Sequence, residues 1–206
     1  MSRRPSVAVF DYGSGNLRSA QRALEAAGGR VEVTSDLKRA EAADGLVVPG
    51  VGAFAACMEG VKASGVDAAI AERLRADAPV LGICVGAQVM FESGEEHGET
   101  TRGLGALPGT VTRLRHERVP HMGWNTVAVD AAMPLFAGVP SDARFYFVHS
   151  YAAHPPVPGA RLAVCDYGAG FAAAASRGAL SAVQFHPEKS GRWGLALLSN
   201  WIRSLT

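Results

Sequence analysis

Buried-strand patterns alternate with helical patterns through the first half of the chain, and this alternation limits the possible folds more than any other feature. Short apolar runs predict strands at residues 6–10, 30–34, 45–48 and 79–83. Apolar residues spaced three and four apart predict helices at residues 17–27, 53–62, 66–76 and 86–91. Strands separated by helices pair in parallel, because a crossover connection joins them. The first half therefore predicts an open α/β sheet with helices on both faces.

The second half of the chain contains short strands that follow one another closely. The pattern predicts strands at residues 110–114, 126–129, 144–148, 162–165, 171–175 and 180–185, and a terminal helix at residues 193–205. Arg177-Gly178 forms a predicted hairpin turn between the last two strands. Neither a Ser/Gly-rich linker nor an internal repeat separates the halves. We therefore expect a single domain over residues 1–206, with a mixed, mostly parallel sheet and a strand-rich C-terminal half.

The composition excludes several classes of protein. The chain has 206 residues, 48% of them hydrophobic and 19% charged, which is enough apolar material for a packed core and argues against disorder. Its net charge is only +1, so no overall field attracts nucleic acid or an anionic membrane. The longest apolar region, at residues 46–58, is interrupted by Pro49, Gly50 and Gly52 and is too short to span a bilayer. We expect neither a nucleic-acid partner nor a membrane location.

The cysteines and histidines do not form a metal-binding pattern. Cys57, Cys84 and Cys165 are odd in number, widely spaced and without a CxxC pair, which argues against a disulfide framework or a zinc site. The chain has no H-E-x-x-H motif. These patterns predict a protein of the reducing cytoplasm with no metal and no cofactor.

Cys84 is the strongest candidate for a nucleophile. It lies in Gly82-Ile83-Cys84-Val85-Gly86, directly after a predicted strand and before a predicted helix, which is the arrangement of a nucleophile elbow. The flanking glycines remove side chains that would collide in a sharp turn, and a helix amino terminus favours a thiolate over a thiol. A free cysteine is also commonly a small buried apolar residue, so this segment alone leaves both interpretations open.

His186 is the best candidate for the proton shuttle that a thiolate needs. It follows the apolar run at residues 182–185 and precedes Pro187 and Glu188. Because alternate residues of a strand share a face, we expect His186 and Glu188 to lie side by side. The carboxylate would then orient the imidazole, as the third member of a catalytic triad does. The alternative, an edge-strand histidine paired with a solvated glutamate, also fits these residues.

Two glycine-containing turns follow predicted strands. In Pro49-Gly50-Val51-Gly52 a peptide plane can turn over at little steric cost. A backbone N–H of Val51 or Gly52 could therefore join that of Val85 in an oxyanion hole, although a plain strand-to-helix turn is the simpler explanation. Gly13-Ser14-Gly15 matches a dinucleotide-binding turn only in part, because Arg18 stands where the third glycine belongs.

Several motifs together resemble one protein family. The segments Pro49-Gly50-Val51-Gly52, Gly82-Ile83-Cys84-Val85-Gly86-Ala87-Gln88 and Gln184-Phe185-His186-Pro187-Glu188 resemble those of the class I, or triad, glutamine amidotransferases. Three further segments resemble, more narrowly, the branch that forms glutaminase subunits of imidazole glycerol phosphate synthase, in histidine biosynthesis. They are Asp11-Tyr12-Gly13-Ser14-Gly15-Asn16-Leu17, Pro120-His121-Met122-Gly123-Trp124-Asn125 and Phe145-Tyr146-Phe147-Val148-His149-Ser150-Tyr151. The similarity runs over residues 7–202. It implies the three-layer α/β fold of that family.

The resemblance implies a role for each matching residue. Cys84 would be the nucleophile, His186 the general acid and base, and Glu188 the residue that orients it. The N–H groups of Val85 and of the turn at Val51 and Gly52 would form the oxyanion hole, and three residues would hold the amino-acid end of L-glutamine: Gln88, Ser150 and Tyr151. The chain departs from the family at Val85 and Ala87, where Leu and Met are common. Only local packing at Ala87 is put in doubt, because Val85 would act through its backbone.

The resemblance also implies a partner, a (β/α)₈-barrel synthase subunit that receives the ammonia in a heterodimer. Four residues match positions at or near that interface, and each has an ordinary structural explanation too: Asn16 as a helix cap, Trp124 as a core aromatic residue, Asn125 as a turn amide and Lys189 as a solvated charge. Two other functions stay open. One is an amidotransferase or thiol hydrolase that serves another acceptor. The other is a non-catalytic nucleotide-binding module that uses Gly13-Ser14-Gly15.

Overall fold

The computed structural model of the chain describes residues 3–13, 15–130 and 132–205. Its strands, in chain order, are β1 Ser6–Phe10, β2 Arg30–Thr34, β3 Gly45–Gly50, β4 Val80–Cys84, β5 Phe91–Glu96, β6 Glu99–Arg102, β7 Leu107–Arg113, β8 His121–Thr126, β9 Ala128–Val129, β10 Arg144–His149, β11 Tyr151–Ala153, β12 Arg161–Tyr167, β13 Ala169–Arg177 and β14 Leu180–Val183. Its α-helices are α1 Leu17–Ala26, α2 Leu37–Ala42, α3 Phe54–Ser64, α4 Val66–Arg75, α5 Val85–Gln88 and α6 Gly191–Arg203. Short 3-10 helices lie at Pro134–Phe136 and Pro187–Lys189.

Within these residues, eight strands form the main sheet in the order β2-β1-β3-β4-β14-β13-β12-β9. The strands from β2 to β14 pair in parallel, and those from β14 to β9 pair antiparallel. β3 and β4 are buried along their whole length, as strands covered by helices on both faces must be. Helices α1 and α6 pack together, and α2, α3 and α4 form a second group. The predicted mixed, mostly parallel α/β fold is confirmed.

Two smaller sheets stand beside the main one in the described part of the chain. β10 pairs antiparallel with β8, and β11-β7-β5-β6 form a four-stranded sheet. The sequence did not predict this division. The exposed residues Met122 and Trp124 on β8 are apolar and conceal the alternation of buried and exposed positions, so the predicted strand at residues 126–129 began too late.

The predicted helix at residues 86–91 is wrong in extent. α5 has a single turn, and Phe91 already begins β5. A Cβ on Gly94 of β5 would lie 2.5 Å from the ring of Phe54, so the glycine admits an aromatic ring from α3 rather than breaking an element. The predicted strand at residues 180–185 also ends early, at Val183, and the short α2 was not predicted.

The predicted cap of the first helix is confirmed at Asn16. Its side-chain oxygen accepts a hydrogen bond from the backbone N–H of Ser19 at 3.4 Å, which satisfies one of the donors left open at a helix start. The neighbouring Ser14 lies outside the described residues. Among the helices of the described segments, none combines the length and apolar character that a bilayer crossing requires.

Candidate active site

Cys84 lies at a sharp turn between β4 and α5. Its backbone angles are φ 55° and ψ −117°, a sparsely populated combination that marks a strained position. A Cβ on Gly86 would lie 1.9 Å from the carbonyl oxygen of Val48, and one on Gly82 would lie 2.7 Å from that of Gly86. Both flanking glycines are therefore required by close backbone packing, and the predicted elbow geometry is confirmed.

The one-turn length of α5 changes the expected electrostatics at Cys84. A macrodipole sums aligned peptide dipoles, and a helix of four residues sums few of them. The sequence therefore predicted more help from the helix than the fold provides. A positive charge comes instead from His186, whose side chain interacts with that of Cys84.

His186 and Glu188 form a buried pair. His186 Nδ1 lies 2.7 Å from Glu188 Oε1, and the two side chains are 5% and 4% exposed. The predicted pairing is confirmed, but the prediction that a strand brings the two residues together was wrong. The residues do not alternate along a strand: Glu188 lies in the 3-10 turn Pro187–Lys189, which folds its carboxylate back onto the ring.

The pKa of His186 reports this environment. Burial alone would lower it, but hydrogen bonds and charge interactions with Cys84 and Glu188 outweigh burial and raise the pKa to about 9. The imidazole is therefore protonated near pH 7 and faces the sulfur as a cation.

The backbone at His186 is fixed by residues that the sequence did not single out. The N–H of His186 donates to the carbonyl of Tyr146 on β10 at 2.9 Å. Ser190 Oγ donates to the carbonyl of His186 at 2.7 Å and accepts from the N–H of Tyr146 at 3.0 Å. These bonds join the loop that carries His186 to β10.

The turn after β3 lies beside the elbow. Gly50 pairs with Cys84 across β3 and β4, and a Cβ on Gly50 would lie 2.4 Å from the backbone nitrogen of Gly86. Gly52 has φ +88°, which favours glycine. Close backbone packing thus explains the glycine at position 50, and the positive φ explains the glycine at position 52.

Two side chains hold the carbonyl groups on either side of the Gly50–Val51 peptide. Tyr12 donates its hydroxyl proton to the carbonyl of Pro49, and Cys57 Sγ donates to the carbonyl of Val51 at 3.4 Å. The neighbouring carbonyl groups are thus anchored, and rotation of this turn is confined to the peptide between them.

A cavity of about 460 Å³ opens at the elbow. Nine of the predicted site residues line it: Val51, Gly52, Cys84, Val85, Gln88, Ser150, Tyr151, His186 and Lys189. The fold therefore brings the predicted nucleophile, proton shuttle, oxyanion turn and substrate contacts to one opening. Its size suits a small-molecule ligand.

Sequence comparison decides the family. The profile of the family described as "Glutamine amidotransferase class-I" matches residues 8–204. The chain belongs to this family. Its relatives include proteins named imidazole glycerol phosphate synthase subunit HisH. The protein from Streptomyces avermitilis is 54% identical, with 100% of this chain and 99% of that protein covered. The protein from Mycobacterium bovis is 57% identical, with 97% and 98% covered.

Solved structures agree on the fold. A structure titled "Crystal structure of glutamine amidotransferase" superposes with a TM-score of 0.75 at 20% identity, with 97% of both chains covered. PurLQS from Thermotoga maritima superposes with a TM-score of 0.77 at 16% identity, with 99% of this chain and 100% of that chain covered. The resemblance predicted from the sequence, to the class I amidotransferases and to the HisH branch, is confirmed.

Hydrogen bonds connect the substrate-contact residues predicted for this amidotransferase to the nucleophile. Gln88 Nε2 donates to the carbonyl of Tyr151 at 2.8 Å and to Gln184 Oε1 at 2.9 Å. Gln184 Nε2 in turn lies 3.9 Å from Cys84 Sγ, and Gln184 is buried. In the sequence, Gln184 stands out only as part of the motif that contains His186. Its amide faces the sulfur, where it donates a weak hydrogen bond.

Glu96 is a cavity residue that the sequence did not predict. Among the described residues that line the cavity it is the one carboxylate. Its Oε2 accepts a hydrogen bond from the N–H of Phe54 at 3.0 Å, at the start of α3. Its position in an acidic run at residues 92–96 is typical of a solvated surface, so only the fold reveals it.

The four predicted interface residues lie in different surroundings. Trp124 is 52% exposed and packs edge-to-face on Tyr146, and Lys189 Nζ lies 5.9 Å from the same ring. Trp124 is therefore not the core aromatic residue of the alternative explanation. Asn125 is turned away from this face, because its side chain donates to the carbonyl of Asp166 at 3.2 Å. Asn16 is exposed at the start of α1.

The described residues hold no group of three or more His, Cys, Asp or Glu side chains placed to bind a metal ion.

Cys165, whose role the sequence left open, is fully buried, and burial together with Asp166 raises its pKa to about 12. Cys165 is thus a core residue with a protonated thiol.

Proposed function

We propose that this chain is the glutaminase subunit of an imidazole glycerol phosphate synthase, and that residues 1–206 act as one glutaminase domain. The observation that carries the proposal is the buried Cys84–His186–Glu188 arrangement at the mouth of a cavity. It occurs in a chain that is 54–57% identical to proteins named as HisH subunits of that enzyme. The reaction is hydrolysis of L-glutamine to glutamate and ammonia.

The first half of the reaction forms a thioester. The Cys84 thiolate adds to the carboxamide carbon of glutamine and gives a tetrahedral oxyanion, which the N–H groups of Val85 and of the turn at Val51 and Gly52 stabilise. His186, protonated before attack, gives its proton to the departing ammonia. Loss of one oxyanion donor typically costs about 3–4 kcal/mol of transition-state stabilisation.

The second half releases glutamate. His186, now neutral, takes a proton from a water molecule that attacks the thioester carbon. The sulfur of Cys84 then leaves, and the proton either passes to this sulfur or stays on the imidazole. Glu188 holds a proton on Nδ1 of the ring, so that Nε2 is the nitrogen that exchanges protons at Cys84. It also stabilises the imidazolium in both halves of the reaction.

Substrate recognition uses charge as well as shape. Glu96, the carboxylate of the described cavity lining, supplies a negative charge for the α-ammonium group of glutamine. Lys189 lies at the same opening and supplies a positive charge near the α-carboxylate. Gln88 and the backbone at Ser150 and Tyr151 offer the hydrogen-bonding groups between them.

The partner is a (β/α)₈-barrel synthase subunit that binds over the mouth of the cavity and receives the ammonia. Three large apolar residues near this opening are exposed to solvent: Val51, which lines the cavity, and Met122 and Trp124 on one face of β8. Exposed apolar residues in a group are typical of protein interfaces. Lys189 adjoins them through Tyr146, and Asn16 lies near the back of the triad. Asn125 joins β8 to β12 through its hydrogen bond to the carbonyl of Asp166, and its contact with the partner stays a prediction.

The decisive experiment is co-purification with the synthase subunit encoded in the same genome, followed by a glutamine-dependent assay. Wild type should form the complex and release glutamate. Cys84→Ser should form the same complex with glutamate release at least about 10³-fold lower, because a hydroxyl is a far weaker nucleophile than a thiolate.

Two outcomes would contradict the proposal. A Cys84→Ser variant that keeps wild-type activity would exclude thioester chemistry, as a non-catalytic binding module predicts. A synthase that never associates, with full glutaminase activity of the chain alone, would favour an amidotransferase or hydrolase that serves another acceptor.

A further inference from the structure

Two buried histidines lie side by side, and one of them, His149, lines the cavity. His121 begins β8, His149 ends β10, and the two are directly opposite in the antiparallel pairing of these strands. His121 Nδ1 lies 3.2 Å from His149 Nε2, and the residues are 3% and 6% exposed. Buried polar groups need hydrogen-bond partners, and each ring supplies one to the other. The proposed triad uses neither histidine.

The hydrogen bonds of this pair have a defined direction. His149 Nδ1 lies 3.0 Å from the carbonyl oxygen of Tyr151, and because a carbonyl only accepts, this nitrogen carries the proton. In a neutral imidazole the other nitrogen then accepts, so His121 Nδ1 donates to His149 Nε2. Burial lowers the pKa of His149 to about 3, and burial together with His116 lowers the pKa of His121 to about 4. Both rings are thus neutral near pH 7.

The chain of hydrogen bonds ends on a carbonyl that a predicted glutamine-binding residue also uses. The carbonyl of Tyr151 accepts from Gln88 Nε2 as well as from His149, and Gln88 Nε2 also donates to Gln184 Oε1. Both protons of the Gln88 amide are engaged by the protein, so its oxygen is the atom that it offers to a ligand. A shift of the Tyr151 carbonyl would turn that amide.

Aromatic packing fixes the ring of His121, from which this chain of hydrogen bonds starts. The ring of His121 stacks on those of Phe147 and Tyr167, with centroid separations of 4.8 Å and 4.0 Å. Stacking on two rings restricts the rotation of the imidazole. The donor on His121 is therefore aimed at His149 by packing as well as by hydrogen bonding.

We propose that His121 and His149 are positioning residues for glutamine: they hold the carbonyl of Tyr151, and through it the amide of Gln88, in the orientation that glutamine binding requires. The inference rests on the proposed glutaminase function. Neither ring acts on the reacting atoms, so loss of the pair should raise KM for glutamine more than it lowers kcat.

The experiment uses the complex with the synthase subunit and measures glutamate release against glutamine concentration. His121→Phe keeps an aromatic ring for stacking but removes the donor, and we expect KM to rise about tenfold with kcat within about twofold of wild type. His121→Asn places an amide N–H close to the position of Nδ1, so it should keep KM within about threefold of wild type.

A second pair of variants tests the other ring. His149→Asn keeps a donor for the carbonyl of Tyr151 and should stay within about threefold of the wild-type KM, whereas His149→Leu should raise KM about tenfold or more. His116→Phe is the matched control, because His116 stacks on the same Tyr167 ring at 4.1 Å and lies outside the chain of bonds. It should leave KM unchanged. Thermal unfolding of every variant separates loss of folding from loss of positioning.

Three results would overturn the inference: an unchanged KM in folded His121→Phe and His149→Leu, an equal rise of KM in the Phe and Asn variants of His121, or an effect on kcat alone. Failure of the proposed function would look different. In that case wild type itself would release no more glutamate than Cys84→Ser, and no KM for glutamine could be measured for any variant.

Discussion

Replacement of Glu188 by glutamine tests the catalytic assignment most directly. The variant side chain keeps its size but loses the negative charge that lies 2.7 Å from His186 Nδ1. When the new amide turns its nitrogen toward Nδ1, it donates there, and the imidazole proton is held on Nε2, facing Cys84. The ring can then no longer accept a proton from the thiol. Glu188→Gln thus removes both the stabilising charge and the correct tautomer.

The size of the effect follows from the pKa of His186. Burial lowers this pKa, but Cys84 and Glu188 outweigh burial and raise it from 6.5 to about 9. One pKa unit corresponds to about 1.36 kcal/mol, so the surroundings stabilise the imidazolium by about 3 kcal/mol relative to water. Glu188 supplies part of this stabilisation, and the wrong tautomer adds to the loss. We expect kcat/KM for glutamine to fall about 10²- to 10⁴-fold.

The assay is the pH dependence of kcat/KM, measured with the synthase complex. The imidazolium must donate to departing ammonia, so wild-type activity should decline as the pH rises through about 9. In Glu188→Gln the decline should begin at lower pH, because burial lowers the pKa of His186 against weaker opposition. Glu59→Gln makes the same chemical change at an exposed position on α3 and should leave the profile unchanged. A Glu188→Gln enzyme within about threefold of wild type, with the same alkaline decline, would refute this reasoning.

Two further predictions concern the elbow and the oxyanion turn. Gly86→Ala places a Cβ 1.9 Å from the carbonyl oxygen of Val48, so the free energy of unfolding should fall by about 3 kcal/mol or more; urea denaturation measures it, and a loss below about 1 kcal/mol would contradict the packing argument. Tyr12→Phe removes the hydroxyl that donates to the carbonyl of Pro49. Steady-state glutaminase assays should show kcat about tenfold lower with KM little changed, and a change in KM alone would argue against a role in the turn.

The grouping of Cys84, His186 and Glu188 was predictable because each of them has a local signal. Glycines flank Cys84 in the sequence, and the same glycines avoid backbone collisions in the fold. His186 and Glu188 are two residues apart, so a strand would place them on one face, and in the structure the turn at Pro187–Lys189 brings them together instead. The choice between those elements was not predictable, because Pro187 suits both the end of a strand and the first position of a helix.

Residues whose position depends on long-range packing were not predictable. Glu96 belongs to β5, and this strand packs against α3 because Gly94 leaves room for the ring of Phe54. His121 and His149 each stand alone in the sequence, and only the register of β8 against β10 makes them neighbours. No periodicity within a single element carries this information, since it is a property of how two elements pair.

The order of three neighbouring strands explains how residues far apart in the sequence form one site. β4 lies between β3 and β14, and all three run parallel, so their carboxyl ends meet at one edge of the sheet. β4 ends at Cys84, β3 leads into the turn at Val51 on one side, and β14 leads to His186 on the other. The position of the proposed nucleophile, between the proposed oxyanion turn and the proposed base, therefore follows from strand order. A slip of β14 by one residue against β4 would move the loop that carries His186 by about 3.3 Å along the sheet, so the register of this pair matters as much as the identity of the three residues.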